Sequence, residues 1–406
     1  MRVLHVITGL GAGGAEQQLR LLLRRLPLAC DVLTLTNPGA VAEGIRADGT
    51  AVTDLGMRGN RDLSALPRLV RTIRAGRYDL VHTHLYRACV YGRIAARLAG
   101  VRAVVATEHS LGEDRIEGRP LTLGTRALYL ATERLGTATV AVSATVAERL
   151  RRWGVPGSRI HLVPNGIDAA RFRFDPAART AVRARLGLPA HALVVGGVGR
   201  LVPGKRFDTA VRAVSQVPGA HLLLAGDGPE RARLRELATG LGVADRVLLL
   251  GECGGAVASD PGGGPDIPAL LSAVDVFVST SEEEAFGLAV LEALAAGLPV
   301  LHVTCPAIDE LPPGHAPAAH RVEPGVPSLV AALRERSAAP AGTDRASVCA
   351  AVRHYDIARS AGLLMALYRN LHGRTGARAG ERFAERVGGR AGEHAAPVLS
   401  APTTKR

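Results

Sequence analysis

The chain has 406 residues, 47% of them hydrophobic, which is ample for two or three domains with real cores. Its five cysteines (Cys30, Cys89, Cys253, Cys305 and Cys349) are scattered and odd in number, which excludes a disulfide framework or a cysteine zinc site and favours a cytoplasmic setting. There is no apolar run of about 20 residues to span a membrane, and the chain opens directly on a strand pattern rather than a signal peptide.

The formal charge of +13 invites a nucleic-acid or membrane-surface reading. Residues 371–406 hold seven Arg or Lys against three Glu, so +4 of it lies in the tail. The remaining arginines are dispersed and poorly supplied with aromatics, so no stacking platform for nucleic acid is expected. In the tail Arg374, Arg378, Arg382, Arg386 and Arg390 recur every four residues, a basic stripe for anionic lipid if helical. The glycines among them favour disorder instead. Lysine occurs only as Lys205 and Lys405, which makes Lys205 informative: an Arg-rich chain has kept a compact ammonium there.

In chain order, residues 2–8 read as a buried strand, followed by Gly9, Gly11 and Gly14 in a G-x-G-x-x-G turn and then a helix. A nicotinamide site needs an acidic residue at the end of the next strand, and Asn37 stands there, with Asp31 only at its start. What survives is a turn, Gly13–Gly14, that lets a phosphate or sugar approach the backbone. Strand and helix patterns then alternate: strands near 51–55, 78–83, 103–107, 138–142 and 160–163, helices near 63–75, 88–99 and 143–151, with Ser143 as a cap. This alternation predicts a parallel sheet with helices on both faces and ligands at the C-terminal strand ends. His109 follows one such end. His82 and His84 share a strand face but lack acidic or Cys partners nearby, so a structural role is expected rather than a metal.

The turn Pro164–Asp168 closes the first half and a linker helix follows. The second half repeats the scheme with strands at 193–198, 221–225 and 246–251 and a helix at 230–241. Arg200 is expected at a strand end and Lys205 in the first turn of the next helix, where a cation opposes the helix dipole unless an anion balances it. Residues 254–266 are a Gly-rich insertion without the G-K-[ST] ending of a phosphate loop. Leu271–Val278 reads as a helix end and a buried strand. The acidic turn Glu282–Glu284 then leads into an apolar helix stopped by Gly297 and Pro299, with Glu292 expected two turns inside it. The amides of Phe286, Gly287 and Leu288 fall where a helix leaves its first N–H groups unpaired, a place that attracts anions. Beyond Val303 the sequence turns Pro/Ala-rich, and 353–371 reads as one C-terminal helix.

Taken together, GGAE at Gly13–Glu16, TEH at Thr107–His109, VPNGID at Val163–Asp168, GRLVPGK at Gly199–Lys205, AGDGPE at Ala225–Glu230 and E-x7-E at Glu284–Glu292 resemble the retaining GT-B glycosyltransferases of family 4 (glycosyl transferases group 1). The resemblance runs in register over about residues 1–370. It implies an α/β fold of two Rossmann-like, doubly wound domains facing across a cleft. An acceptor domain would span 1–168 and a donor domain 169–350, with a helix at 351–371 crossing back to the N-domain and a disordered basic tail at 372–406. It further implies transfer of a sugar from a nucleoside-diphosphate sugar to a glycan, lipid-linked or small-molecule hydroxyl, as in polysaccharide biosynthesis, with retention and with no metal or cofactor. No nucleic-acid partner is implied, and the place is the cytoplasm, peripheral to the membrane at most.

Carried onto matching positions, the resemblance gives Arg200 and Lys205 the departing diphosphate, Glu284 the sugar hydroxyls, Glu292 the ribose and His109 the transferred sugar. Gly13, Gly14, Asn165 and the amides of Phe286, Gly287 and Leu288 complete the donor contacts. One departure stands out: CPAIDE at Cys305–Glu310 replaces the family's Gly-Gly step before a Glu, although Glu310 itself still matches. Two other classes stay open in the sequence, a non-catalytic sugar-nucleotide-binding protein of the same fold and a nicotinamide oxidoreductase.

Overall fold

A computed structural model describes residues 1–373 apart from 60–61, 114, 118, 190, 254–265 and 339–344. The Gly-rich insertion, save Asp266, and the arginine-spaced tail lie outside the described residues. Asp266 caps the helix Ile267–Ala273, accepting the Ala269 amide at 3.0 Å.

Two parallel sheets form. The first contains β1 Arg2–Ile7, β2 Ala29–Thr34, β3 Ala51–Asp54, β4 Leu80–His84, β5 Ala103–Glu108, β6 Ala138–Ala141 and β7 Ile160–Leu162, in the order β3-β2-β1-β4-β5-β6-β7. The second contains β8 Val194–Val198, β9 His221–Ala225, β10 Val247–Gly251, β11 Val276–Ser279, β12 Val300–His302 and β13 Ala319–Arg321, in the order β10-β9-β8-β11-β12-β13. Strands such as Leu80–His84 and Ala103–Glu108 are buried at every position, as expected where helices cover both faces. In each sheet the strand order reverses once, between β1 and β4 and between β8 and β11. Connections leave in opposite directions at such a point and open a crevice beyond the strand ends.

The structure differs from the sequence expectation in several places, among them two helices the patterns did not mark, Gly39–Ala47 and Leu123–Glu133. The Pro/Ala-rich segment contains β13 and the helix Val326–Ala338, and β12 lies just ahead of it; the two strands have only three residues each, too short for a pattern. Lys205 is not in the first turn of the following helix. It ends a separate 3-10 turn, Pro203–Lys205, and Arg206 in a left-handed conformation (φ 51°) divides that turn from the helix Phe207–Ser215. The C-terminal helix is two helices, Ala350–His354 and residues 357–373, separated at Tyr355–Asp356.

The break lets the last helix cross back. The Ile167 amide donates to the Tyr355 carbonyl (2.8 Å) and the Ile357 amide to the Ile167 carbonyl (3.0 Å), so the chain is pinned to the Pro164–Asp168 turn before the helix begins. Ile357, Ala361, Leu364, Met365, Tyr368 and Leu371 recur at helical spacing and pack on Val3, Leu22, Leu80, Ala103 and Val105 of the first domain. Each large aliphatic buried this way contributes about 1.5–3 kcal/mol. Tyr368 also places its hydroxyl 2.5 Å from Nδ1 of His82 in the sheet.

Gly166 is what permits the close approach. A Cβ there would stand 2.6 Å from Cα of Ile357 and 2.8 Å from Oγ of Ser360. Gly166→Ala is therefore expected to lower stability by about 1–3 kcal/mol through overpacking, read as a fall in the thermal unfolding midpoint. An unchanged midpoint would show that the crossing helix is free to shift.

Candidate active site

The two strand-order reversals face each other, and the segments leaving β1, β8 and β11 carry the polar residues. The acidic turn after β11 sends its three carboxylates in three directions. Glu282 pairs with Arg206, Glu283 with Arg149 of the first domain (3.3 Å), and Glu284 with Lys205 (2.5 Å). The Lys205–Glu284 pair joins the segments beyond β8 and β11, half-sheltered from solvent. Backbone contacts hold the two segments: the Thr280 hydroxyl donates to the Lys205 carbonyl at 2.7 Å and the Thr304 hydroxyl to the carbonyl of Glu282, in the acidic turn, at 3.0 Å.

The helix after this turn spans Leu288–Ala295. Its cap is Gly287 at φ 105°, where a Cβ would also lie 2.4 Å from Sγ of Cys305, so only glycine fits. The first hydrogen bonds back to the cap come from Val290 and Leu291, both to the Gly287 carbonyl, so the amides of Gly287 and Leu288 precede the helical ladder. Phe286 is buried edge-on against Tyr355, with ring centroids 5.1 Å apart, and so offers its backbone rather than its ring. Glu292 falls in the second turn, closer to the helix start than expected from sequence. Burial raises its carboxyl to about 7, and Arg171 pulls in the other direction.

From the first domain, the Gly-rich turn meets the helix start: a Cβ on Gly14 would be 3.5 Å from Cδ1 of Leu288. Gly13 leaves room for Glu16, whose Oε2 would be 2.1 Å from a Cβ at Gly13. Glu16, the last residue of the GGAE motif, carries no role legible in the sequence. Burial raises its carboxyl to about 7; Glu117 adds to the rise, and the exposed Arg200 opposes it from the second domain. Asp31 is occupied far from the crevice, accepting from Arg2 (2.7 Å) and Tyr78 (2.9 Å), which removes the remaining acidic candidate for a nicotinamide ribose.

His109 is buried just past β5, while its neighbour Glu108 turns inward to accept from the Tyr129 hydroxyl at 2.8 Å. With Gln18, His84 and Asn165, His109 lines a pocket under the crossing helix. Asn165 is buried there, and the adjacent Gly166 amide donates to Gln18 Oε1 at 3.2 Å. Three imidazoles that the sequence reading did not combine, His5, His82 and His84, come within 4.8 Å of one another. They are not arranged as a metal site. His5 bonds His84 (3.0 Å), and His82 spends both nitrogens on Tyr368 (2.5 Å) and Thr107 (2.6 Å).

Carboxylates and a capping hydroxyl also tie the domains together. The Ser143 hydroxyl caps the helix Ala144–Trp153, accepting the Val146 amide, and donates across the crevice to the Ala285 carbonyl at 2.7 Å. At that same helix start Glu310 accepts from the amides of Ala144 (2.8 Å) and Thr145 (2.7 Å) and from the Thr145 hydroxyl (2.7 Å). Glu310 therefore faces the first domain. Its role was invisible in sequence because its partner lies 166 residues away.

This combination defines a two-domain α/β protein of GT-B fold with a crevice between its sheets. The comparisons agree. The model of Glycosyltransferase Family 4 matches residues 12–171 and that of Glycosyl transferases group 1 matches 178–311. The chain belongs among the GT-B glycosyltransferases. It is 34% identical over 256 residues to the D-inositol 3-phosphate glycosyltransferase of Salinispora arenicola, covering 56% of this chain and 54% of that protein. It is 30% identical over 249 residues to the UDP-Gal:alpha-D-GlcNAc-diphosphoundecaprenol alpha-1,3-galactosyltransferase of Escherichia coli, covering 59% and 62%. To the GDP-mannose-dependent alpha-(1-6)-phosphatidylinositol monomannoside mannosyltransferase of Mycobacterium tuberculosis it is 35% identical over 217 residues, covering 51% and 53%. The chain thus spans about half the length of the curated relatives it matches. Among solved structures, Anabaena HepE in complex with UDP and glucose superposes with a TM-score of 0.77 at 22% identity, over 91% of this chain and 100% of that one. Among the described residues no helix is long and apolar enough to cross a membrane.

The buried titratable groups make a pH prediction. Burial lowers His5 to about 3 and His109 to about 4, and drives His82 and His84 well below their ordinary 6.5. Stability tied to these groups is present above pH 6.5 and lost as pH falls toward the folded values, because the unfolded chain takes up protons first. Glu108, raised to about 7 by burial, works oppositely: its contribution is complete below 4.5 and lost as pH rises through 7. Glu108→Gln removes that opposing slope. Unfolding midpoints measured at pH 5 and pH 7 should then differ more in the variant than in the parent. An equal difference would mean that Glu108 does not titrate in this window.

Proposed function

We propose that the protein transfers a sugar from a nucleoside-diphosphate sugar to a hydroxyl of a glycan, a lipid-linked saccharide or a secondary metabolite, with retention of configuration and without a metal. The observation that carries this reading is the Lys205–Glu284 pair at 2.5 Å, set beside the amides at the start of the helix Leu288–Ala295 and opposite Gly13–Gly14. A cation, free amides and a side-chain-free turn suit a diphosphate, and a carboxylate beside them suits sugar hydroxyls.

In this reading the incoming diphosphate draws the Lys205 ammonium from Glu284, which leaves Glu284 to accept from the sugar. As the anomeric C–O bond breaks, negative charge collects on the leaving phosphate. Lys205 and the exposed Arg200 stabilise that charge more in the transition state than in the ground state, which is what accelerates a reaction. The acceptor oxygen attacks from the face the phosphate leaves, and its proton passes to a leaving phosphate oxygen. Glu292 holds the ribose. His109 and Asn165 support the sugar from the first domain. The relatives, named for UDP-Gal and GDP-mannose donors and, in one case, a diphosphoundecaprenol acceptor, favour a nucleotide-sugar donor and leave its identity to experiment.

A thermal-shift screen against UDP-, GDP- and ADP-sugars identifies the donor, and hydrolysis or transfer assays follow on the hits. Lys205→Ala and Glu284→Ala are each expected to lower turnover by about 10²–10³-fold. Parental turnover in both variants would sink these assignments, and donor binding without any turnover in the parent would favour a non-catalytic sugar-nucleotide-binding protein.

A further inference from the structure

His5, His84 and His109 form a hydrogen-bonded ladder across three strands. Nδ1 of His5 lies 3.0 Å from Nε2 of His84, and Nδ1 of His84 lies 3.2 Å from Nε2 of His109. The sheet register explains the geometry: Ile7 is opposite His84, and His84 is opposite Thr107, so each partner sits one strand over and two residues further along. The ladder starts inside the sheet and ends past β5 at the crevice edge. Two ring nitrogens remain, Nε2 of His5 and Nδ1 of His109, and both are buried without a partner.

A neutral imidazole carries one N–H and one lone pair. All three rings are neutral above pH 6.5, since burial lowers every one of them. With one proton per ring and one per bond, only two arrangements keep both bonds. Either every ring is protonated at Nδ1, or every ring is protonated at Nε2. The second arrangement leaves an N–H at His5 Nε2, which has no acceptor and does not border the pocket. The first leaves only a bare lone pair there and puts the free N–H on His109, the ladder's pocket-side end. A sealed donor without an acceptor is the rarer and costlier defect.

We propose that His5 and His84 are positioning residues that fix His109 as its Nδ1–H tautomer, so that it donates a hydrogen bond to an oxygen of the ligand bound beside it. Neither residue touches the ligand. Their effect is to make His109 a donor at that nitrogen when an imidazole in water favours a proton on Nε2. The consequence for turnover rests on the glycosyl-transfer reading; the tautomer itself does not.

The test is a long-range ¹H–¹⁵N correlation of ring nitrogens in the full chain labelled at histidine, recorded without ligand above pH 7 and assigned by single substitutions. His5, His84 and His109 are each expected to show a protonated Nδ1 and a bare Nε2. His109 protonated at Nε2 in the parent overturns the proposal without any variant. His84→Leu removes the donor and should release His109 from the Nδ1–H form. His84→Asn, whose amide stands near the position of Nδ1, should restore it. A folded His84→Leu that keeps the Nδ1–H form also overturns the proposal. Where the parent transfers or hydrolyses a donor, His84→Leu should lower turnover about tenfold and His84→Asn recover it. A parent that turns over no donor counts against the glycosyl-transfer reading alone, because the ring-nitrogen spectrum judges the ladder separately.

Discussion

The ion pair between Lys205 and Glu284 is the point on which the site is built. It can exist only because β8 and β11 are neighbours, although 79 residues separate the two side chains. Adjacent parallel strands whose connections depart in opposite directions leave their outgoing segments facing one crevice. The left-handed Arg206 ends the 3-10 turn right after Lys205, and the left-handed Gly287 starts the helix three residues after Glu284. Both segments stay short and stiff, so neither partner needs ordering at the moment a ligand arrives. The lone lysine of the described chain sits where a compact, mobile ammonium can exchange one anion for another, which a forked guanidinium bound to the same carboxylate does less readily.

Three anion-friendly helix starts then divide the remaining work. The helix Leu288–Ala295 leaves its first amides ahead of the hydrogen-bond ladder, open to the ligand in the proposed reading. The helix Ala144–Trp153 spends its own on Ser143 and on the Glu310 carboxylate from the other domain. The short helix Pro306–Asp309 is closed from within, since Asp309 accepts the Cys305 amide at 2.8 Å. The same backbone property serves binding, docking and local closure, and the side chain opposite decides which. Glu283 shows how fine the division is. One residue before Glu284, it points to Arg149 and the Glu113 amide and so joins the domains instead of pairing with Lys205.

Much of this was legible in sequence, and the exceptions have physical causes. Alternating strand and helix patterns specify a parallel sheet, and glycines, a lone lysine and paired glutamates mark strand ends. Hence Arg200, Lys205, Glu284 and Gly14 could be placed together before any coordinates. Glu310 and Glu283 could not be, because their partners lie in the other domain, more than a hundred residues away, and docking leaves no periodicity. The histidine ladder was hidden for a similar reason. His82 and His84 were seen as one strand face, but His5 enters through the β1–β4 register and His109 through the diagonal beyond β5, and cross-strand register is not written in either strand alone. Glu16 was missed because the placement of its carboxylate depends on the absence of a side chain at Gly13.

The departure at Cys305–Glu310 sharpens where the charge of a bound diphosphate must be met. A Gly-Gly step there would present free backbone amides. Here the Cys305 amide is taken by Asp309, the Ala307 amide donates to the Phe286 carbonyl at 2.8 Å, and the Cys305 thiol is buried against Gly287 with its ionisation suppressed by burial. That segment therefore supports the cap at Gly287 and contributes little positive potential of its own. In the proposed reading the load then falls on the amides ahead of Leu288 and on two side chains, Lys205 and Arg200. Across the crevice Glu16, raised to about 7, carries less negative charge than an ordinary carboxylate at neutral pH. In the proposed reading a diphosphate approaching Gly13 meets Lys205 and Arg200 on one side and a carboxyl that burial keeps partly protonated on the other, an asymmetry that would draw a departing anion toward the second domain.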